Sequence, residues 1–306
     1  MHDHHREANR LTLMGSQSLR INLILAATIM VVEVIGGFLS NSLALLSDAG
    51  HMLVDALALG LALFAITIAR RPATASKTYG YHRVEIMAAL VNGTALVVVS
   101  VAIFYEAYQR FSSPPDIKTP IMLGVAFIGL LANLAGMWLL SRVGHANLNI
   151  RAAFWHIAGD TLSSIGVIIG GLIIMFTGFT IVDPIIAVLI GIIILWGAVR
   201  VVEESLEILL ESTPRHIDTT KVIGAITQIP GVREVHDVHI WTITSDMHAL
   251  SAHLVIDDQM VSLSTEIVKK VTEELASHFN IGHTTLQLEC ETCPTGAVCF
   301  ISKPEE

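Results

Sequence analysis

Six runs of mostly apolar residues, at about 20–39, 43–69, 84–110, 120–140, 152–177 and 182–200, constrain this chain more than any other feature. A helix rises 1.5 Å per residue and the hydrocarbon core of a bilayer is about 30 Å thick, so one crossing takes ~20 apolar residues. In lipid every backbone polar group must find its partner within the protein, which makes each run a helix. The links at Ser40 to Ser42 and Gly178 to Ile181 are short enough to be tight hairpins. The first run follows a charged, histidine-bearing stretch and is too long for a signal-peptide core, so it is read as part of the mature protein.

Charge divides the chain in two. Residues 1–200 hold 12 Lys and Arg against 10 Asp and Glu, whereas residues 201–306 hold 6 against 17. A near-neutral membrane part therefore carries an acidic, water-soluble part. Only 15% of residues are charged and the net charge is −9, which excludes an ordinary soluble enzyme and a nucleic-acid partner. Ten Lys and Arg fall on one side of the six runs, and only Arg110 and Lys118 on the other. The richer side is cytosolic by the positive-inside rule, so both termini lie in the cytosol. The expected organisation is a His-bearing tail over 1–15, a six-helix transmembrane domain over 16–205 and a cytosolic domain over 206–306. Three cysteines within ten residues, Cys290, Cys293 and Cys299, make a poor disulfide framework and suit a reducing compartment.

A carboxylate at the bilayer centre costs about 2.5–3.5 kcal/mol on insertion scales, so such groups need partners. The second run holds Asp48, His51 and Asp55, and the fifth holds His156 and Asp160. The spacing His-x-x-x-Asp thus occurs in two different spans, and residues i and i+4 share one helix face. Two such helices facing each other supply two nitrogens and two oxygens, a tetrahedral zinc site. Interhelical hydrogen bonding accounts equally well for any one of these residues, but not for two matched pairs. Asp48 lies one turn before His51 and is read as a proton site or a helix–helix hydrogen bond, ahead of an outer-shell role. Glu33, Asn22, Asn92 and Asn133 are read as interhelical bonds or the lining of a wet cavity.

These pairs, with the runs NSLALLSDAGHM, KTYGYHRVEIMAALVNG, NLNIRAAFWHIAGD and VHDVHIW, resemble the cation diffusion facilitator family over about residues 11–290. The likeness is to bacterial zinc, cobalt and cadmium efflux members and to vertebrate zinc transporters. The short link from Ser141 to Arg151 favours the bacterial group. The resemblance implies a homodimer that exports divalent cations from the cytosol in exchange for protons, by alternating access at His51, Asp55, His156 and Asp160. It also implies zinc as the substrate, because His51 occupies the position that goes with zinc preference, with cadmium and cobalt as weaker candidates. A bacterial inner membrane is the expected location.

From about residue 212 the pattern becomes mixed. Asp218 or Thr219 caps a short helix, Val235 to Thr244 and Leu250 to Ile256 alternate as half-buried strands do, Ser264 to Phe279 has helical spacing, and Thr284 to Cys290 alternates again. The order α-β-β-α-β predicts a small α+β domain, which the resemblance implies is metallochaperone-like, metal-binding and part of the dimer contact. The resemblance carries His236, His253 and Glu289 onto a family cytosolic zinc site of structural or regulatory kind, with His239, His283 or water as a further ligand. Cys290 and Cys293 form a lone CxxC, half a zinc site. The N-terminal His2, His4 and His5 are candidates for the other half, as in some transporters of this kind, against a merely flexible tail.

Two rival functions are weaker. An intramembrane zinc protease needs an open metal position and a motif such as H-E-x-x-H, which is absent. A metal sensor without transport needs only the soluble domain and leaves the ligands in the spans unexplained.

Overall fold

The computed structural model describes residues 2–141, 148–244 and 247–290, and within these the side chains of residues 2–20, 59, 62, 63, 66 and 148–153 are left aside. The chain divides into two compact units, residues 1–61 with 91–201, and residues 62–90 with 202–306. Its helices are α1 (His2–Ser40), α2 (Leu43–Ala69), α3 (Arg83–Ser112), α4 (Thr119–Ser141), α5 (Leu148–Thr177), α6 (Val182–Leu209), α7 (Thr219–Thr227) and α8 (Val261–Phe279). The strands are β1 (Val232–Thr244), β2 (Met247–Ile256) and β3 (Ile281–Glu289).

The first unit holds α1, α4 and α5 and most of α2, α3 and α6. Among the described residues five helical segments are long and apolar enough to cross a membrane: Ile21–Ser40, Arg83–Ser112, Thr119–Ser141, Phe154–Thr177 and Val182–Leu209. α2 has 27 residues, a comparable length, and carries Asp48, His51 and Asp55. The helix of the first run extends back to His2, through the stretch expected to be a tail. Core clusters join α2 to α4 and α5 through Leu45, Met122 and Val167, and α2 to α3 and α6 through Leu43, Ile103 and Ala187. Both short links are as tight as expected, with Asn41 and Gly178 in the left-handed region at φ 60° and 69°.

The turn into α2 is held by a buried carboxylate. Asp183, in the first turn of α6 and fully buried, accepts hydrogen bonds from Ser42 Oγ (2.5 Å), Leu43 N (2.6 Å) and Ala44 N (3.3 Å). It thereby satisfies amide groups that a helix start leaves without intrahelical partners, and its charge suits the positive end of the helix dipole. Arg110 Nη1 stands 3.7 Å from Asp183 and donates to Asn41 O at 2.6 Å, so α2, α3 and α6 meet in one network.

In the second unit the element order α7-β1-β2-α8-β3 is the one the pattern predicts, with longer strands. The sheet order is β1-β2-β3, β1 and β2 antiparallel, β2 and β3 parallel. Asp218 caps α7 by accepting from Thr220 N at 3.0 Å. Asn280, in the left-handed conformation after α8, turns the chain directly into β3. Val222 and Ile226 of α7 and Ile267, Val271 and Leu275 of α8 pack with Leu250, Ala252 and Leu254 of β2, so both helices cover one sheet face. The other face carries His253.

Candidate functional sites

The membrane unit brings together the four residues picked out by spacing. α2 supplies His51 and Asp55, α5 supplies His156 and Asp160. Asp55 Oδ2 is the hub: it lies 3.5 Å from His51 Nε2 and 3.5 Å from His156 Nε2. His156 Nε2 is also 3.8 Å from Asp160 Oδ2. The two imidazoles meet edge to face with centroids 6.1 Å apart. Ligands about 2.0–2.1 Å from a tetrahedral zinc stand roughly 3.3–3.4 Å apart, so these contacts are close to the edges of such a cage. His51 Nδ1 and Asp55 Oδ2 are buried without a hydrogen-bond partner. Groups left this way favour a further ligand.

A cavity of about 480 Å³ adjoins the quartet, lined by Asp48, His51, His156 and Asp160 together with an apolar wall that includes Leu96 and Trp155. The His156 side chain is 52% exposed and that of Asp160 only 9%. One helix face thus presents a reachable imidazole above a sheltered carboxylate. Asp48 accepts a hydrogen bond from Ser163 Oγ at 2.8 Å, a link between α2 and α5. Of the roles weighed for it, the helix–helix bond is the one present in this geometry.

The soluble unit holds a second cluster. One ligand atom each of His236, His253 and Glu289 lies within 4.8 Å of the other two, the group of three potential metal ligands found among the described residues. His253 Nδ1 is 2.9 Å from Glu289 Oε1, and His236 Nε2 is 3.2 Å from Glu289 Oε2. His236 is 2% exposed, yet neither of its ring nitrogens completes a hydrogen bond. Two imidazoles, a carboxylate and buried nitrogens without partners suit a zinc-type ion.

A bulge in β1 builds this cluster. Core-facing residues run Val235, Val238, Ile240, so the alternation slips by one position, and the pairing register shifts between His236 and His239. Asp237 there has φ 51°. The extra residue leaves His236 and Asp237 both on the face away from the helices, a familiar use of a bulge. His236 pairs across the strands with His253, and Glu289 stands opposite Val255 on β3, diagonal to His253.

Asp237 is the group that sequence reasoning missed. Its Oδ2 is 3.5 Å from His253 Nε2 and its Oδ1 is 3.0 Å from His239 Nε2. It therefore faces the opposite nitrogen of His253 from the one that faces Glu289, where it can fix the tautomer. The signal was the run His236-Asp237-Val238-His239, whose acidic residue breaks an otherwise apolar alternation. His239 reaches Asp237 and not the cluster of three. Cys290 is exposed and free. Cys293 lies outside the described residues, as do the side chains of His2, His4 and His5.

Fold and sites define an integral membrane protein of apolar helices joined to a small α+β domain, each part with its own cluster of histidines and carboxylates. Residues 19–210 match the cation efflux transmembrane domain, and residues 214–291 match the cytoplasmic domain of cation efflux proteins. The chain belongs to the cation efflux, or cation diffusion facilitator, family, whose members are metal efflux transporters and not enzymes. It is 44% identical over 95% of its length to the cadmium, cobalt and zinc/H(+)-K(+) antiporter of Bacillus subtilis, covering 92% of that protein. It is 43% identical to the metal cation efflux system protein CzcD of Cupriavidus metallidurans, over 91% of this chain and 88% of that one. It is 40% identical to the zinc transporter ZitB of Escherichia coli, over 90% of this chain and 88% of that one.

Proposed function

We propose that this protein exports zinc from the cytosol in exchange for protons, by alternating access at His51, Asp55, His156 and Asp160. The observation that carries the reading is the meeting of two His-x-x-x-Asp faces, from α2 and α5, at one carboxylate oxygen beside a cavity. Zinc binds neutral imidazole and ionised carboxylate, so metal and protons compete for one cluster and its two loads alternate. The four ligands replace the water that a dication sheds on entering a low-dielectric region. Cadmium and cobalt, named in relatives, belong to the same ligand class and are proposed as secondary substrates.

The same reading has six spans, α1 to α6, with both termini in the cytosol of a bacterium and the protein in its inner membrane. Residues 1–15 form the His-bearing tail, 16–205 the membrane domain and 206–306 the regulatory and dimerisation domain. A zinc ion held by His236, His253 and Glu289 draws two copies of that domain together and favours the transporting state. Cys290 and Cys293 with His2, His4 and His5 make a second cytosolic site across the dimer.

Zinc flux into sealed proteoliposomes under an imposed pH gradient tests the proposal. Uptake that reverses when the gradient is reversed is expected; uptake indifferent to the gradient would remove the exchange.

A further inference from the structure

A buried carboxyl group lies apart from the metal quartet. Glu33, in the middle of the first span, is 1% exposed. Its carboxylate sits in a notch of α4 made by Gly129, where a Cβ atom would meet Glu33 Oε1 at 2.7 Å. Ser164 Oγ of α5 borders the same point at 3.7 Å. Glu33 Oε2 and Ser164 Oγ are both buried and neither has a hydrogen-bond partner. Further along the same interface Gly136 of α4 makes room for Asn22 Oδ1 of α1.

The charges acting on Glu33 are those of Asp48 on α2 and Asp160 on α5, both acidic. α4 contributes no titratable residue at all. An ionised Glu33 is therefore a buried anion facing two more carboxylates; among the described residues no cation acts on Glu33 itself, and the imidazoles of His51 and His156 lie on the side of Asp160. A lone buried charge costs several kcal/mol, whereas a neutral carboxylic acid costs far less. A hydroxyl such as that of Ser164 suits both states, since it donates to a carboxylate and accepts from an acid.

We propose that Glu33 is a proton-carrying group of the exchange, separate from the four metal ligands. It holds one proton as a carboxylic acid while the quartet carries no metal. A dication arriving from the cytosol beside Asp160 compensates the local negative charge, and Glu33 then releases that proton to the cytosolic side and becomes a carboxylate. When the metal leaves, the carboxylate takes up one proton again. No other reactant enters, and the link between the two loads is Coulombic.

This assignment rests on the exchange reading, and one set of measurements separates their failures. Zinc flux and proton flux are recorded together in proteoliposomes for the wild type and for Glu33→Gln, which keeps the size and removes the proton site. The expected variant still binds zinc, about tenfold more weakly at neutral pH because the compensating carboxylate is gone, and exchanges about one proton fewer per zinc. An unchanged proton-to-zinc ratio in Glu33→Gln overturns the assignment while leaving the exchange intact. Wild-type flux indifferent to pH overturns the exchange itself. Loss of zinc binding in a folded Glu33→Gln makes the residue part of the metal site and also overturns the assignment. Should the variant not fold, infrared spectra of wild-type protein with isotope-labelled glutamate decide. A protonated glutamic-acid carbonyl band at neutral pH that fades on adding zinc is expected, and its absence overturns the assignment.

Discussion

The membrane quartet and the cytosolic trio use the same chemistry, imidazole with carboxylate, on opposite kinds of scaffold. The quartet hangs on two helices, and its contacts of 3.5–3.8 Å all cross or climb one helix pair. The trio stands on three hydrogen-bonded strands, with His236 and His253 in register and contacts of 2.9 and 3.2 Å. A sheet fixes the distance between neighbouring strands, whereas packed helices slide and tilt as rigid rods. On the proposed function this difference suits the quartet to releasing a metal and the trio to keeping one.

The sharpest way to break this contrast is at the quartet's hub. Asp55→Ala removes the one oxygen shared by both imidazoles. Loss of an outer partner of a metal ligand costs 10–100-fold, so loss of this ligand is expected to lower zinc affinity at the site by about 1000-fold and bring transport to background. Zinc held by the soluble unit is expected to persist, seen as one fewer zinc per chain by mass spectrometry. Transport that survives Asp55→Ala would sink the quartet.

A second test asks whether the quartet depends on how its helix is anchored. Asp183 fixes the start of α2 and stands against Arg110, which is 8% exposed. Removing one partner of a buried ion pair costs about 3–5 kcal/mol, so Asp183→Ala is expected to lower the stability of the membrane unit by about 3 kcal/mol. The transition in detergent shifts down, and zinc retention by the trio does not change. Equal loss of both sites would show that the two scaffolds are not independent.

These residues differ in how far the sequence exposes them. His51, Asp55, His156 and Asp160 are legible because a helix turns i, i+4 spacing directly into a shared face. The apolar runs likewise fix the membrane helices to within a few residues, α1 and α6 apart: α1 begins as early as His2 and α6 continues to Leu209. Asp183 is different. Its partners lie 139–141 residues away, and no local pattern announces a cap supplied from so far along the chain. Alternation sets His253 on the strand face opposite Leu250, Ala252 and Leu254, but the trio as a set was reached through resemblance, because alternation predicts neither the bulge at Asp237 nor which strands become neighbours. Glu33 is visible as a polar residue in a span, but its isolation depends on Gly129 and Ser164 from two other helices.

On the sheet side, His236→Ala removes a nearly buried ligand and keeps the fold of β1. Zinc affinity of the trio is expected to fall about 100-fold, more than an outer partner commonly costs. Ligands must be deprotonated to bind metal, so lowering the pH weakens zinc at this site by up to about tenfold per unit for each proton displaced. The His236→Ala variant is expected to show a shallower pH dependence, because one competing imidazole is gone. Transport is expected to slow and not to stop. Titration of the full chain against a competing chelator at several pH values measures both; an unchanged slope would take His236 out of the site.

The smallest effect is expected at Asp237, and it tests whether the trio's rigidity comes from the sheet or from its outer contacts. With φ at 51°, the position tolerates Asn, which adopts the left-handed region more readily than most residues. Asp237→Asn therefore keeps the bulge and removes only the charge facing His253 Nε2. That contact is 3.5 Å long, at the limit of a hydrogen bond, so the cost is set near the lower end for a group that orients a ligand, about tenfold in zinc affinity. Asp237→Val is expected to do more damage, since a β-branched residue resists this backbone and the slip that places His236 beside His253 is lost. If Asn at 237 binds zinc as the wild type does while Val does not, the sheet and its bulge alone hold the ion. If both weaken it alike, the charge of Asp237 matters and the backbone does not.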